Sequence, residues 1–185
     1  MNNTVPRWAT AKVGEIMDLV NGAPFKPSDW SCDGLPIIRI QNLNNPLAPF
    51  NRFSGELAER FRVTDGDLLF AWSGTPGTSF GAHIWSRGEA WLNQHIFRVD
   101  FDRSSLDCSY LCLAINQNLA NYIRQAHGGA GLAHITKGRF EESDLVVPPL
   151  NEQRRIVAKL DALFEKSRAI RDKLDRLPRL LDQLQ

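Results

Sequence analysis

The most regular feature of the chain is a stripe of apolar residues near its C-terminal end. Ile156, Leu163, Ile170, Leu177 and Leu184 recur every seven residues, and Leu160, Ser167, Leu174 and Leu181 recur with the same period, offset by four. This alternating spacing is the seam of a coiled coil, interrupted only by Ser167. At 1.5 Å per residue the helix is about 55 Å long. Such a narrow stripe needs a partner helix, from a second copy, another subunit or more of the same chain. The alternative is an amphipathic helix packed on its own domain. Pro149 followed by Asn151 marks the start, and Pro178 is expected to kink or interrupt the pattern.

Upstream the pattern is different. Apolar runs are short, and Gly and Pro punctuate them every few residues. Val13–Val20 is one apolar stretch ending at the Asn21-Gly22 turn signal. Leu35–Ile40, Asp67–Trp72 and Trp91–Val99 read as strands, the last with polar residues in its middle. Tyr110–Ala126 has apolar residues at helical spacing and should end at Gly128-Gly129. Leu145–Val147 reads as a last short strand. The composition changes at Val147-Pro148-Pro149-Leu150, which divides the chain into 1–148 and 149–185. The fold class expected is α+β (mixed α/β) for the globular part, followed by a long α-helix.

Composition narrows the class. The 185 residues are 43% hydrophobic and 23% charged, as in ordinary globular proteins. No apolar run approaches the roughly 20 residues of a membrane-spanning helix. The first residues lack the apolar core of a signal peptide, and three cysteines do not make a disulfide framework. A cytoplasmic location is expected. The net charge of +1 does not advertise a nucleic-acid binder. Residues 1–150 hold 13 Lys and Arg against 15 Asp and Glu, while residues 151–185 hold 9 against 6. DNA binding by the globular part therefore requires its cations to gather on one face.

Candidate chemistry is sparse. Ser73-Gly74-Thr75-Pro76-Gly77-Thr78 lacks the Gly-Lys-Ser/Thr ending of a nucleotide-binding P-loop. Its backbone N–H groups and hydroxyls suit a DNA phosphate or base edge, or simply a tight turn. Cys108 and Cys112, with four scattered histidines, do not match zinc-site spacing and read as buried thiols. Asn45-Pro46-Leu47 lacks the second proline and the aromatic of an amino-methyltransferase motif. No metal, cofactor or catalytic site is expected. Four segments mix the amide, hydroxyl, basic and aromatic groups that base readout uses: Phe25–Trp30, Arg39–Asn44, Asn93–His95 and His134–Arg139. Each reads equally as a solvated loop, and Gln94 as an amide that satisfies backbone groups.

Taken in order, these pieces resemble the specificity subunit of Type I restriction–modification systems. The series runs from Val13-Gly14-Glu15-Ile16 and Asn21-Gly22 through Ile37-Ile38-Arg39 and Gln41-Asn42-Leu43 to Gly66-Asp67-Leu68-Leu69 and Ser73-Gly74-Thr75. It continues through Leu92-Asn93-Gln94-His95 and Ile135-Thr136-Lys137. It closes on its most specific part, Pro148-Pro149-Leu150-Asn151-Glu152-Gln153-Arg154-Arg155-Ile156-Val157, leading into the heptads. The resemblance implies a target-recognition domain over 1–148 and a conserved helical region over 149–185, whose helix packs as an antiparallel coiled-coil spacer. It further implies double-stranded DNA, methyltransferase subunits and, through them, restriction subunits as partners. A second copy, or the other half of a longer subunit, would complete the spacer. Expected DNA contacts are Lys26, Arg39, Gln41, Asn42, Ser73, Thr75, His95, Lys137 and Arg139. Phosphates should fall to the lysines and Thr75, and base edges to Arg39, Gln41 and Asn42. The seam residues are Ile156, Leu160, Leu163, Ile170, Leu174, Leu177, Leu181 and Leu184. Two other readings stand beside this one: a helix-mediated assembly protein without DNA contact, and an enzyme with an unrecognised site.

Overall fold

The computed structural model describes residues 8–74, 78–125 and 133–182. In chain order the elements are β1 (Ala9–Lys12), α1 (Val13–Ile16), β2 (Met17–Asn21), β3 (Leu35–Ile38), α2 (Ile40–Asn44), β4 (Asn51–Phe53) and β5 (Arg62–Val63). There follow β6 (Leu68–Ala71), β7 (Ser73–Gly74), β8 (Gly81–Ile84), β9 (Ala90–Leu92), β10 (Ile96–Phe101), α3 (Cys108–Gln117) and α4 (Leu119–Gln125). The chain closes with β11 (Ala133–His134), α5 (Lys137–Glu141), β12 (Asp144–Val147) and α6 (Leu150–Asp182). The expected α+β class with a long C-terminal helix is what the chain adopts.

Two four-stranded sheets carry the fold. One is antiparallel in the order β2-β10-β6-β8; the other runs β4-β3-β9-β5, with β3 and β9 parallel. Strand β6 explains their relation. All four of its residues are buried, because both of its faces are covered. Leu68 and Phe70 point into a large core with Leu19, Phe97, Leu111, Ile115, Tyr122, Ile135 and Phe140. Leu69 and Ala71 point the other way, into a smaller core with Ile38, Val63, Trp85, Leu92 and Ile96. The two-residue period of a strand thus makes β6 the wall between two cores, which its near-continuous apolar run DLLFAW anticipates. Phe70 is the centre of the larger core, stacked on Phe140 at 4.1 Å and edge-on to Phe80 and Tyr122.

The open edge of the antiparallel sheet is closed by a side chain. The Ala82 N–H on β8 donates to Asn116 Oδ1 at 2.9 Å, and Asn116 Nδ2 donates to the Ala82 carbonyl at 2.9 Å. The Asn116 amide on α3 therefore satisfies both groups that an additional strand would pair. Asn116→Ala should destabilise the protein by about 1–3 kcal/mol, read as a lower urea midpoint at unchanged slope.

Three expected elements are divided. Val13–Val20 forms a helical turn and then a strand. Trp91–Val99 is two strands in different sheets, parted where Ile96 N–H closes a turn onto the Asn93 carbonyl at 3.0 Å. The helix expected from Tyr110 breaks at Asn118, which ends α3 and whose carbonyl receives the first N–H groups of α4. The expected end at Gly128-Gly129 lies outside the described residues. The paired ribbon β1–β12 brings the start of the chain against the residues just before α6.

Helix α6 is joined to the core through its first turns. Gln153 is fully buried, and Ile156 and Val157 pack half-buried against the larger core. Beyond them Leu163, Phe164, Ile170 and Leu174 are 52–59% exposed. The stripe is therefore uncovered at Leu163, Ile170 and Leu174, while Ile156 packs on the domain. The helix continues through Pro178 to Asp182, so the expected interruption is corrected. Proline there costs only the bond to the carbonyl four residues back, near the helix end. The side chains of Leu177 and Leu181, and Leu184 as a whole, lie outside the described residues. Among the described residues no helix is long and apolar enough to cross a membrane.

Candidate nucleic-acid interface

Strand register gathers the polar segments on one rim. The parallel pair β3–β9 aligns Ile38 with Leu92, so Arg39 and Asn93 leave the sheet side by side. A parallel bridge joins Ala23 to Asn93, tied by Ala23 N–H to the Leu92 carbonyl at 2.8 Å and Gln94 N–H to the Ala23 carbonyl at 2.9 Å. Lys26 follows within three residues. Strand β6 ends where antiparallel β10 begins, with Ala71 opposite Ile96. Trp72 and His95 are therefore neighbours, their rings 5.5 Å apart. The short ribbon β7–β11 sets Ser73 opposite His134, whose ring meets Trp72 edge-on at 4.6 Å.

The expected contact residues divide accordingly. Lys26, Gln41 and His95 are exposed on this rim, and Arg39 and Ser73 are half-buried there. The Arg39 guanidinium lies 5.4 Å over the ring of Trp30, which is itself exposed. Asn42 is corrected. It is 1% exposed, its Oδ1 accepts the Arg39 N–H at 3.0 Å, and its Nδ2 donates to the carbonyls of Ala48 and Pro49. An amide so committed shapes the turn after β3 and has no free edge for a base. Lys137 donates from Nζ to the Leu19 carbonyl at 3.0 Å and lies 3.6 Å from Glu141. Arg139 lines a different cleft, with Thr10, Asn118, Asn121 and Ser143. Thr75 lies outside the described residues.

Six of the fifteen carboxylates of residues 1–150 gather away from the rim. Asp18 pairs with Asp100 across β2–β10, Asp67 and Glu89 precede β6 and β9, and Asp65 and Asp102 lie in the adjoining turns. These six carboxylates sit at the end of the strands opposite the rim, about four residues or ~13 Å along β10 from Ile96. Several are paired: Asp100 with Arg98 at 2.7 Å, Glu89 with Arg62 at 3.0 Å, Asp67 with Arg103 at 3.9 Å. The Ser104 hydroxyl and N–H and the Ser105 hydroxyl hold the Asp102 carboxyl below its ordinary range. The rim carries Lys26 and Arg39, with Asp29 accepting the Lys26 N–H at 2.7 Å.

Cys108 and Cys112, expected as buried thiols, are half-buried, as is His83, and these three sit apart from the rim, while Cys32 is exposed. Burial raises the Cys108 thiol and pushes Cys112 up to about 11, so both stay protonated and weakly nucleophilic. Desolvation lowers His83, whose Nε2 lies 3.1 Å from the Ser79 carbonyl. Among the described residues no cluster of three His, Cys, Asp or Glu could hold a metal. Sequence reasoning passes over Trp72 altogether. The available signal is its place one residue beyond a doubly buried strand, at the margin of the larger core, against which its half-buried ring packs.

A family profile described as the Type I restriction modification DNA specificity domain matches residues 6–179. The chain is 26% identical over 94% of its length to the EcoBI Type I restriction enzyme specificity subunit of Escherichia coli, and 24% identical over 94% to the EcoKI subunit of strain K12. It spans 36% and 40% of those two relatives. Among solved structures, the HsdS subunit of Thermoanaerobacter tengcongensis superposes with a TM-score of 0.68 at 22% identity, over 92% of this chain and 40% of that one. The Type I S subunit of M. genitalium gives 0.63 at 16% identity, over 89% and 41%. With the profile covering nearly its whole length, the chain belongs to the Type I restriction modification DNA specificity domain family.

Proposed function

We propose that this chain is the sequence-reading module of a Type I restriction–modification complex, directing methyltransferase subunits, and restriction subunits through them, to a bipartite DNA site in the cytoplasm. It contributes recognition and no catalytic group. The observation that carries this reading is the rim, where the exits of β3, β6 and β9 bring cationic, amide, imidazole and indole groups together, at the strand end opposite Asp18, Asp67, Glu89 and Asp100. Phosphate contacts position such a module and base contacts specify its site. The exposed stripe on α6 takes a partner helix, from a second copy or the other half of a longer subunit. The boundary between recognition domain and spacer falls at Pro148-Pro149.

The test is co-purification with methyltransferase subunits of the same operon, followed by a methylation assay on random DNA. Methylation at a fixed bipartite site supports the reading; absence of both association and modification would sink it. The uncovered stripe favours one competing reading, an assembly protein without DNA contact. That reading predicts association through α6 with no salt-sensitive DNA affinity. Leu163→Asp together with Leu174→Asp should abolish the helix contact and leave the globular part folded. Light scattering of the complex and an unchanged melting midpoint for the globular part check this.

A further inference from the structure

The rim sorts its side chains by chemistry. Lys26 and Arg39 lie where the Ala23 segment and β3 leave the sheet, and among the described residues neither side chain is in a salt bridge, although the Lys26 N–H donates to Asp29 Oδ2 at 2.7 Å. Beside them the groups can both donate and accept hydrogen bonds. Between β9 and β10, Gln94 Nε2 lies 3.4 Å from His95 Nε2, and His134 on β11 meets the ring of Trp72 edge-on. We propose that Gln94 and His95, with His134 beside them, are the base-reading residues of this rim, and that Lys26 and Arg39 take phosphates. This assignment rests on the DNA-recognition reading above, and it moves base readout away from Arg39, Gln41 and Asn42.

Three observations support it. First, a Gln amide matches the donor–acceptor pattern of an adenine edge bidentately, and an imidazole can donate to or accept from a base edge. Second, the Asn93–His95 turn is held rigidly. The Gln94 N–H is bonded to Ala23, the His95 N–H donates to Asn93 Oδ1 at 3.3 Å, and the flanking Leu92 and Ile96 are fully buried. A reader must keep its geometry to discriminate, and this one hangs between two core strands. Third, Trp72 backs the imidazoles. It lies near-parallel to Phe97 at 5.8 Å, and its own N–H is buried without an acceptor among the described residues. Ring contacts rather than a hydrogen bond therefore set its place, and it keeps the exposed His95 from folding back onto the domain. Arg39, by contrast, is already drawn over Trp30.

The experiment expresses the wild-type chain, Gln94→Ala, Gln94→Glu, His95→Ala and Lys26→Ala, each with the methyltransferase subunits, and maps methylated sites by sequencing. Gln94→Ala and His95→Ala should leave methylation in place but relax one or two positions of a single half-site, by about fivefold or more in base preference. Gln94→Glu keeps the shape of the side chain, which guards against misfolding. It removes the donor and should move the preferred base toward cytosine. Lys26→Ala should weaken binding alike on all sequences and reduce the salt slope by about 1. Wild-type base preference retained within twofold at every position by both Gln94 variants and by His95→Ala would overturn the assignment alone. Absence of any fixed site for the wild-type chain would overturn the recognition reading and this inference with it.

Discussion

Gln153→Leu is expected to lower the unfolding free energy by about 3–5 kcal/mol and to loosen the start of α6 from the globular part. The side chain is fully buried and bonds three backbone groups at once. Its Oε1 accepts the Asp107 N–H at 2.8 Å, and its Nε2 donates to the Ser105 carbonyl at 3.1 Å and the Pro148 carbonyl at 2.8 Å. Asp107 in turn caps α3, accepting the Tyr110 N–H at 3.0 Å. One amide thus ties the first turn of α6, the diproline before it and the start of α3. Leucine is of similar volume, so little cavity forms and the loss is mainly three unsatisfied buried groups, each worth about 1–3 kcal/mol. Urea unfolding measures the loss, and faster amide exchange at Asp107 would place it. A change below about 1 kcal/mol would show that water replaces the amide.

Gly22→Ala is expected to cost about 3 kcal/mol or more and to disorder the rim before the core. A Cβ at this position would lie 2.2 Å from the Asn93 carbonyl oxygen and 2.5 Å from that of Leu92. Both are backbone atoms of the β9 exit and cannot swing aside. The glycine is there for close approach, which lets Ala23 bridge to Asn93 and fixes Gln94. Relief of the clash must push the Ala23–Lys26 segment away from the Asn93–His95 turn. Thermal unfolding would record the destabilisation. Sequence-specific methylation should fall further than stability alone accounts for at a temperature where the variant is still folded. A variant with normal specificity would separate the Ala23 bridge from recognition.

The spacer was legible because a heptad pattern is local and repeats. Its anchor was half legible. Pro-Pro-Leu-x-Glu-Gln marks the place, but that Gln153 is wholly buried depends on α3, more than forty residues upstream. Of the globular part, β6 was readable as a buried strand, since both its faces are apolar. The Trp91–Val99 run reads as one strand from its apolar ends, whereas the turn that divides it into β9 and β10 is set by long-range pairing to Ala23. The rim was legible as residue types but not as a place. Asn42 and Gln94 are both amides beside apolar neighbours, and only the fold makes one a buried brace and leaves the other at the surface. Bulk charge is uninformative for a related reason, as it does not tell which side of the molecule each charged residue occupies.

Because Gln153 anchors α6 by a side chain, it fixes the rotational phase of the helix as well as its position. The direction in which Leu163, Ile170 and Leu174 face is therefore set relative to the rim by residues in the first turn. Inserting one residue between Val157 and Leu163 would swing the stripe by about 100° about the helix axis and point it away from any partner aligned with the original face. Inserting seven would lengthen the reach by about 10 Å and turn the stripe by only about 20°. Length in this helix can change in steps of whole heptads, whereas intermediate steps alter which side of the molecule is presented.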